Sequence, residues 1–199
     1  MTKPFDEKKF LNITRFMKNI SKIIMILMSV VFGIIVIMFG VTVFVPTDTL
    51  TVDLSRMDEI NIVLFNTNIV YPTSIFEGMF MVKNVLLALL GFTLVAVGFF
   101  YIILRLIYQV LSDVYEKVPF SQQNVKRLYY LSYTLMAMAI VLPLFMLLVS
   151  WQTIHALELD ATANYSIEAN TLFTGILVWI LASIFNYGKY LQDEVDQTV

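Results

Sequence analysis

The chain has 199 residues, 59% of them hydrophobic and only 14% charged, against roughly 45–50% apolar and about 25% charged in an ordinary soluble domain. A water-soluble core of this size cannot hide that much apolar surface, and the mean hydropathy of +0.80 makes lipid the solvent. A net charge of −2 gives no basic field for nucleic acid, so no direct nucleic-acid contact is expected, and the absence of cysteine excludes disulfides, thiolate metal sites and cysteine nucleophiles.

In chain order, residues 1–22 come first. Phe5, Phe10, Ile13, Phe16 and Ile20 fall at helical spacing among Lys8, Lys9, Arg15 and Lys18, which predicts an amphipathic helix on the anionic inner membrane surface. The other reading is a solvated tail leading into the first span. The uncharged run between Lys22 and Asp48 predicts that span at residues 23–45, since about 20 apolar residues cross a bilayer. It is too long for a secretory signal, and Val43, Phe44, Val45 and Pro46 stand where a small-residue cleavage site would be sought.

Residues 46–82 form a long connection with two alternating or β-branched stretches, Leu50 to Leu54 and Ile60 to Phe65, punctuated by Asp53, Ser55, Asp58 and Asn66 to Asn68. A small β-hairpin or three-stranded cap is expected there. The second span, 83–105, lies in the uncharged run before Arg105. Its helical pattern continues through Leu106, Val110, Leu111 and Val114, must stop before Pro119, and restarts with Ser121 as N-cap. Residues 106–127 therefore read as a helical hairpin. The third span covers 128–153, with Pro143 expected to kink it; an acidic connection covers 154–168; the fourth span covers 169–188; and an acidic tail closes the chain at 189–199.

Orientation follows from the short flanks. Lys3, Lys8, Lys9, Arg15, Lys18, Lys22, Arg105, Lys117, Lys126, Arg127 and Lys189 share one side, whereas Arg56 and Lys83 lie on the other. The expected fold is thus an all-α integral membrane protein, a four-transmembrane-helix bundle with both termini cytoplasmic and a small extracytoplasmic β-containing loop. Unpaired backbone in hydrocarbon leaves helices as the only open-chain solution.

No Asp, Glu, Lys, Arg or His lies inside the four runs, which argues against a proton-coupled pump or charged-substrate transporter. His155, beside Trp151 and Gln152, reads as an interfacial histidine rather than a pH sensor. Eleven methionines, paired at Met25/Met28, Met79/Met81 and Met136/Met138, raise copper(I) chemistry, but without Cys or a His cluster they read as gap-filling side chains. With no phosphate loop, zinc spacing or one-sided Ser/His/Asp set, no catalytic residue, cofactor or metal is expected. Ser29/Gly33, Gly91, Gly98, Gly175, Ala182 and Ser183 are candidates for close helix approach. Asn186 reads either as a hydrogen bond between helices or as a group facing lipid headgroups.

Two segments carry a resemblance. Val118-Pro119-Phe120-Ser121-Gln122-Gln123-Asn124-Val125-Lys126-Arg127-Leu128, followed by a span, resembles the Gly-x-Pro-Phe, Asn, Arg-Leu pattern of a bacterial membrane family defined by domain of unknown function 2975. Tyr187-Gly188-Lys189-Tyr190-Leu191-Gln192-Asp193-Glu194-Val195-Asp196-Gln197-Thr198-Val199 resembles its closing glycine, Leu-Gln-x-Glu and Asp-x-Thr-Val signature. Here Lys117-Val118 replaces the glycine position, and Gln197 stands where an apolar residue is common. The resemblance implies a non-enzymatic membrane regulator or sensor working with a small cytoplasmic helix-turn-helix transcription factor. Pro119, Phe120, Asn124, Lys126, Arg127, Leu191, Glu194 and Asp196 become candidate partner-binding residues. Pro119-Phe120 is expected to plug the bundle's base, Asn124 to cap or bridge, and Lys126/Arg127 to pair with Asp193, Glu194 or Asp196. The opposing reading is that these residues only close the bundle. A small channel, transporter or peptide-immunity protein is the alternative function; the lipid bilayer is the other expected partner, and homo-oligomer formation stays open.

Overall fold

The computed structural model describes residues 7–53, 59–64, 67–72, 79–116, 119–159 and 162–198. Four helices dominate: α1 (Glu7–Phe44), α2 (Lys83–Tyr115), α3 (Gln122–Ala156) and α4 (Ala169–Thr198). All four are long and apolar enough to cross a membrane, as in a multi-pass membrane protein.

No break separates the amphipathic segment from the first span: residues 7–44 form one helix of 38 residues. The apolar positions from Phe10 onward stay in phase with those of the uncharged run, and no proline interrupts them. The helix stops where Pro46 disfavours helical backbone in Val45. There the Lys83 ammonium donates to the carbonyls of Val43 (3.0 Å) and Val45 (2.6 Å), covering acceptors that a helix end leaves open. At the other terminus α4 runs to Thr198, so most of the segment expected to be a tail is helical.

Most hydroxyls inside the helices are satisfied locally, whereas the buried Ser132 and Ser150 hydroxyls of α3 have no partner among the described residues. Thr14, Ser21, Ser29, Thr42, Thr93, Thr134, Thr153, Thr174 and Ser183 each donate to the carbonyl four residues earlier, which removes an unpaired donor from an apolar environment. α3 continues through Pro143 as one helix.

The connection after α1 contains β-pairing, in a different arrangement from a single hairpin or a three-stranded cap. β1 (Thr51–Asp53) pairs antiparallel with β4 (Met79–Met81), and β2 (Glu59–Leu64) pairs antiparallel with β3 (Thr67–Pro72). Leu64 is opposite Thr67, so the alternation from Ile60 continues into its own return strand. Asn68, expected in a turn, lies in β3 opposite Val63. Ser55 and Asp58 lie outside the described residues.

The chain divides into two compact units. One comprises Met1–Val31, Val97–Ala139 and Ala169–Val199; the other comprises Phe32–Ala96 and Ile140–Glu168. In the first, Val125, Leu128, Met138, Ala139 and Ala182 form the buried apolar core, joined by Thr14, Ser21, Asn124 and Ser132. Lys18 of α1 sits over the rings of Tyr108 and Tyr115 on α2, at 5.8 and 5.4 Å, a doubled cation–π contact. In the second, Ile35, Leu90 and Val149 are buried with Thr42 and Ser150.

Close approach is confined to part of the small-residue set. A Cβ on Gly175 would meet Met136 Cγ at 2.9 Å, Met136 N at 3.2 Å and Ser132 O at 3.3 Å. Ala182 is fully buried, and the Ser183 and Tyr129 hydroxyls share a hydrogen bond of 3.2 Å. At Gly33, Gly91 and Gly98 an added Cβ would meet nothing within 4 Å, so among the described residues these three make no close helix approach. Spacing alone gives their positions on the helix but not which neighbour a face meets.

Candidate functional site

The turn between α2 and α3 is held by a polar lock. Ser121 is the N-cap of α3: its Oγ accepts from the backbone N–H of Asn124 at 3.1 Å. That same hydroxyl donates to Asp113 Oδ2 on α2 at 3.3 Å. Asn124, which has no exposed surface, donates through Nδ2 to the Pro119 carbonyl (3.1 Å) and accepts through Oδ1 from Arg127 Nη1 (3.0 Å). Arg127 Nη1 also donates to Asp113 Oδ2 at 2.7 Å, forming an ion pair about one-fifth exposed on each side. Further donations reach the Gln109 carbonyl and Gln123 Oε1, each at 3.4 Å. Every member lies within one helical hairpin, so the lock fixes the angle of the turn.

Arg127 therefore pairs with Asp113 rather than with an acid at the end of α4, which corrects the expected connection. Asp113 and Arg127 each lie seven residues from Phe120, positions that face one another when two helices fold back at that turn. That symmetry is the sequence signal that points to the pair. At the end of α4, Lys189 forms an ion pair with Asp193 one turn on, and the Tyr190 hydroxyl donates to Glu194 Oε1 at 2.9 Å. These i,i+4 contacts arise because α4 continues as a helix through the segment. Lys126 is exposed. Lys117 and the Asp196 side chain lie outside the described residues.

The two motifs do meet, through aromatic packing. The Phe120 ring lies 5.3 Å from that of Phe185, tilted by 39°, and a Cβ on Gly188 would stand 3.2 Å from Phe120 Cε1. Gly188 is thus where the α4 backbone lets the Pro119-Phe120 turn seat against it. Pro119 is half-buried, and Phe120 keeps 40% of its surface exposed. On the same turns of α4, Tyr187, Tyr190, Leu191 and Val195 are exposed. Tyr187, Leu191 and Val195 follow the i, i+4, i+8 spacing of one helix face. Tyr129 packs edge-on to Trp179, with centroids 6.5 Å apart, eight residues or just over two turns before Tyr187.

The turn and the helical terminus expose the apolar and aromatic side chains of Phe120, Tyr187, Tyr190, Leu191 and Val195, and Lys126, Asp193 and Glu194 are exposed as well. No curated protein and no solved structure matches the chain. A family model described as a protein of unknown function (DUF2975) matches residues 66–199, a span that contains the polar lock, Phe120, Gly188 and all of α4. Covering about two-thirds of its length, that match shows that the chain belongs to the DUF2975 family.

Proposed function

We propose that the protein is a non-enzymatic regulator or sensor of the bacterial plasma membrane, with both termini in the cytoplasm and the β-containing connection outside. It passes its state to a cytoplasmic protein, such as a small helix-turn-helix transcription factor, that docks on the end of α4 and the Pro119-Phe120 turn. The supporting observation is the exposed row of Tyr187, Leu191 and Val195 on a helix that outlasts its uncharged run, which ends before Lys189. Apolar side chains repeated on one face from the last turn of a span outward suit a groove on a partner. The row is anchored by Gly188 against Phe120, so docking and the angle of the hairpin share one surface.

Replacing Leu191 and Val195 together by glutamate is expected to abolish co-purification of a neighbouring-gene helix-turn-helix protein from detergent. Two interface anchors worth about 1 kcal/mol or more each give a loss of roughly 30-fold or greater. Glu194→Lys with Asp196→Lys should weaken the same capture through charge repulsion while leaving folding intact. Undiminished capture by both variants removes this face from the interface; loss of the folded protein instead assigns it to closing the bundle. For orientation, reporter fusions at residue 115 and at the C-terminus should read cytoplasmic, and those near residues 60 and 162 external. A reversed pair breaks the proposed topology.

A further inference from the structure

We infer that residues 162–168, between α3 and α4, line a water-filled crevice that enters the bilayer to the level of Ile140 and admits small hydrophilic solutes. The inference rests on reading α3 as membrane-spanning.

The anchor is one hydrogen bond. The Tyr165 hydroxyl donates to the Ile140 carbonyl at 3.3 Å, yet α3 continues to Ala156, 16 residues or about 24 Å further on. The chain leaving α3 has therefore come back along it. The uncharged run of α3, residues 128–154, holds 27 residues, more than the roughly 20 that a bilayer core needs. Wherever a window of that length is placed in the run, Ile140 falls inside it, at least seven residues or about 10 Å from the boundary nearer Ala156. That depth about equals the reach of a tyrosine side chain and its hydrogen bond, so the Tyr165 backbone lies at the hydrocarbon boundary in the shallowest placement and inside it in every deeper one.

Irregular backbone is tolerated at that depth only where protein covers it or water reaches it, because its N–H and C=O groups find no partner in lipid. Residues 162–168 have no regular secondary structure. Among the described residues, 162–166 take part in no backbone–backbone hydrogen bond outside the helices. Nor does the rest of the chain cover them, since Thr162, Asn164, Tyr165, Ser166, Ile167 and Glu168 are all exposed.

The side chains then decide which environment they meet. Thr162, Asn164, Ser166 and Glu168 alternate with Ala163, Tyr165 and Ile167, and in extended backbone that period of two sends the polar set to one face. Three neutral polar groups and a carboxylate on one exposed face fit water and not acyl chains. α4, which follows directly, is the least apolar of the four candidate spans, with a window hydropathy of 1.5 against 3.0, 2.5 and 2.2. For the proposed sensor, such a crevice offers a hydrophilic signal molecule a path that a lipid would not take.

The chain has no cysteine, so single introduced thiols report without background. Asn164→Cys and Ser166→Cys probe the polar face. Ile34→Cys and Ile37→Cys probe exposed apolar positions of α1 that lie inside every 20-residue window of its uncharged run. The full-length protein in liposomes is treated with a charged, membrane-impermeant methanethiosulfonate, added to one side and then the other. Thiols at 164 and 166 should react about 100-fold faster than those at 34 and 37, since a thiol held in lipid is protonated and unreachable. Equally fast reaction at all four positions would show that these depths lie outside the bilayer, overturning the spanning reading and the crevice with it. Equally slow reaction would show the polar strip covered by lipid or by a second copy of the chain, overturning the crevice alone. Fast reaction confined to reagent on the cytoplasmic side keeps the crevice and reverses the proposed orientation.

Discussion

Gly175→Leu is expected to separate α3 from α4 and to be the most damaging single substitution in the helices. The nearest atom to a new Cβ, Met136 Cγ at 2.9 Å, can rotate away. Met136 N and Ser132 O, at 3.2 and 3.3 Å, are backbone and can yield only if the helices part. Overpacking a tight contact typically costs about 1–3 kcal/mol, and a leucine against backbone belongs at or above the upper end. Parting the helices also loosens the seat of fully buried Ala182 and the Tyr129–Ser183 hydrogen bond. Gly33→Leu and Gly98→Leu are the controls, since a Cβ there meets nothing within 4 Å. Thermal unfolding in detergent, followed by size-exclusion chromatography, should show a large drop in midpoint for Gly175→Leu and little change for the controls. Matching midpoints in all three would contradict the close approach at Gly175.

Arg127→Ala should have the second largest effect. It removes the cation from Asp113, leaves the Asn124 Oδ1 acceptor without the Arg127 donor in a fully buried position, and drops two further contacts. Breaking a fully buried pair from one side costs about 3–5 kcal/mol, and the one-fifth exposure of both side chains reduces this to roughly 2–4 kcal/mol. Arg127→Lys should recover only part of the loss, because the single ammonium nitrogen of a shorter side chain cannot stand where Nη1 meets Asp113, Gln109 and Asn124 and also keep the Nη2 donation to Gln123. Lys126→Ala, one residue away and exposed, should leave unfolding unchanged. If Arg127→Ala and Lys126→Ala unfold alike, the lock does not hold the turn.

The helices were legible because uncharged runs of about 20 residues have few alternative fates, and the Ser121 cap because Pro119 and the polar N-cap agree on one boundary. Which strand pairs with which was not legible. Alternation marks a strand near Leu50 and another near Ile60, but β1 finds its partner in Met79–Met81, whose three residues carry almost no pattern. Arg127 illustrates the same limit for charge. Counting acids near a cation nominates the Asp193–Asp196 segment, whereas the folded turn brings Asp113 to 2.7 Å because two antiparallel helices juxtapose residues equidistant from their connection. The Tyr165–Ile140 contact had no sequence signal beyond the alternation of residues 162–168, since nothing in a polar loop tells which way it turns.

The uncharged runs are unequal: 27 residues between Arg127 and His155 in α3, but 20 between Glu168 and Lys189 in α4. At about 1.5 Å per residue they measure roughly 40 and 30 Å. One bilayer thickness cannot match both upright, so α3 must lean or the lipid around it must stretch. Acyl-chain length thereby becomes a variable of this protein's conformational energy: short-chain lipid favours a steeper lean of α3, and long-chain lipid straightens it.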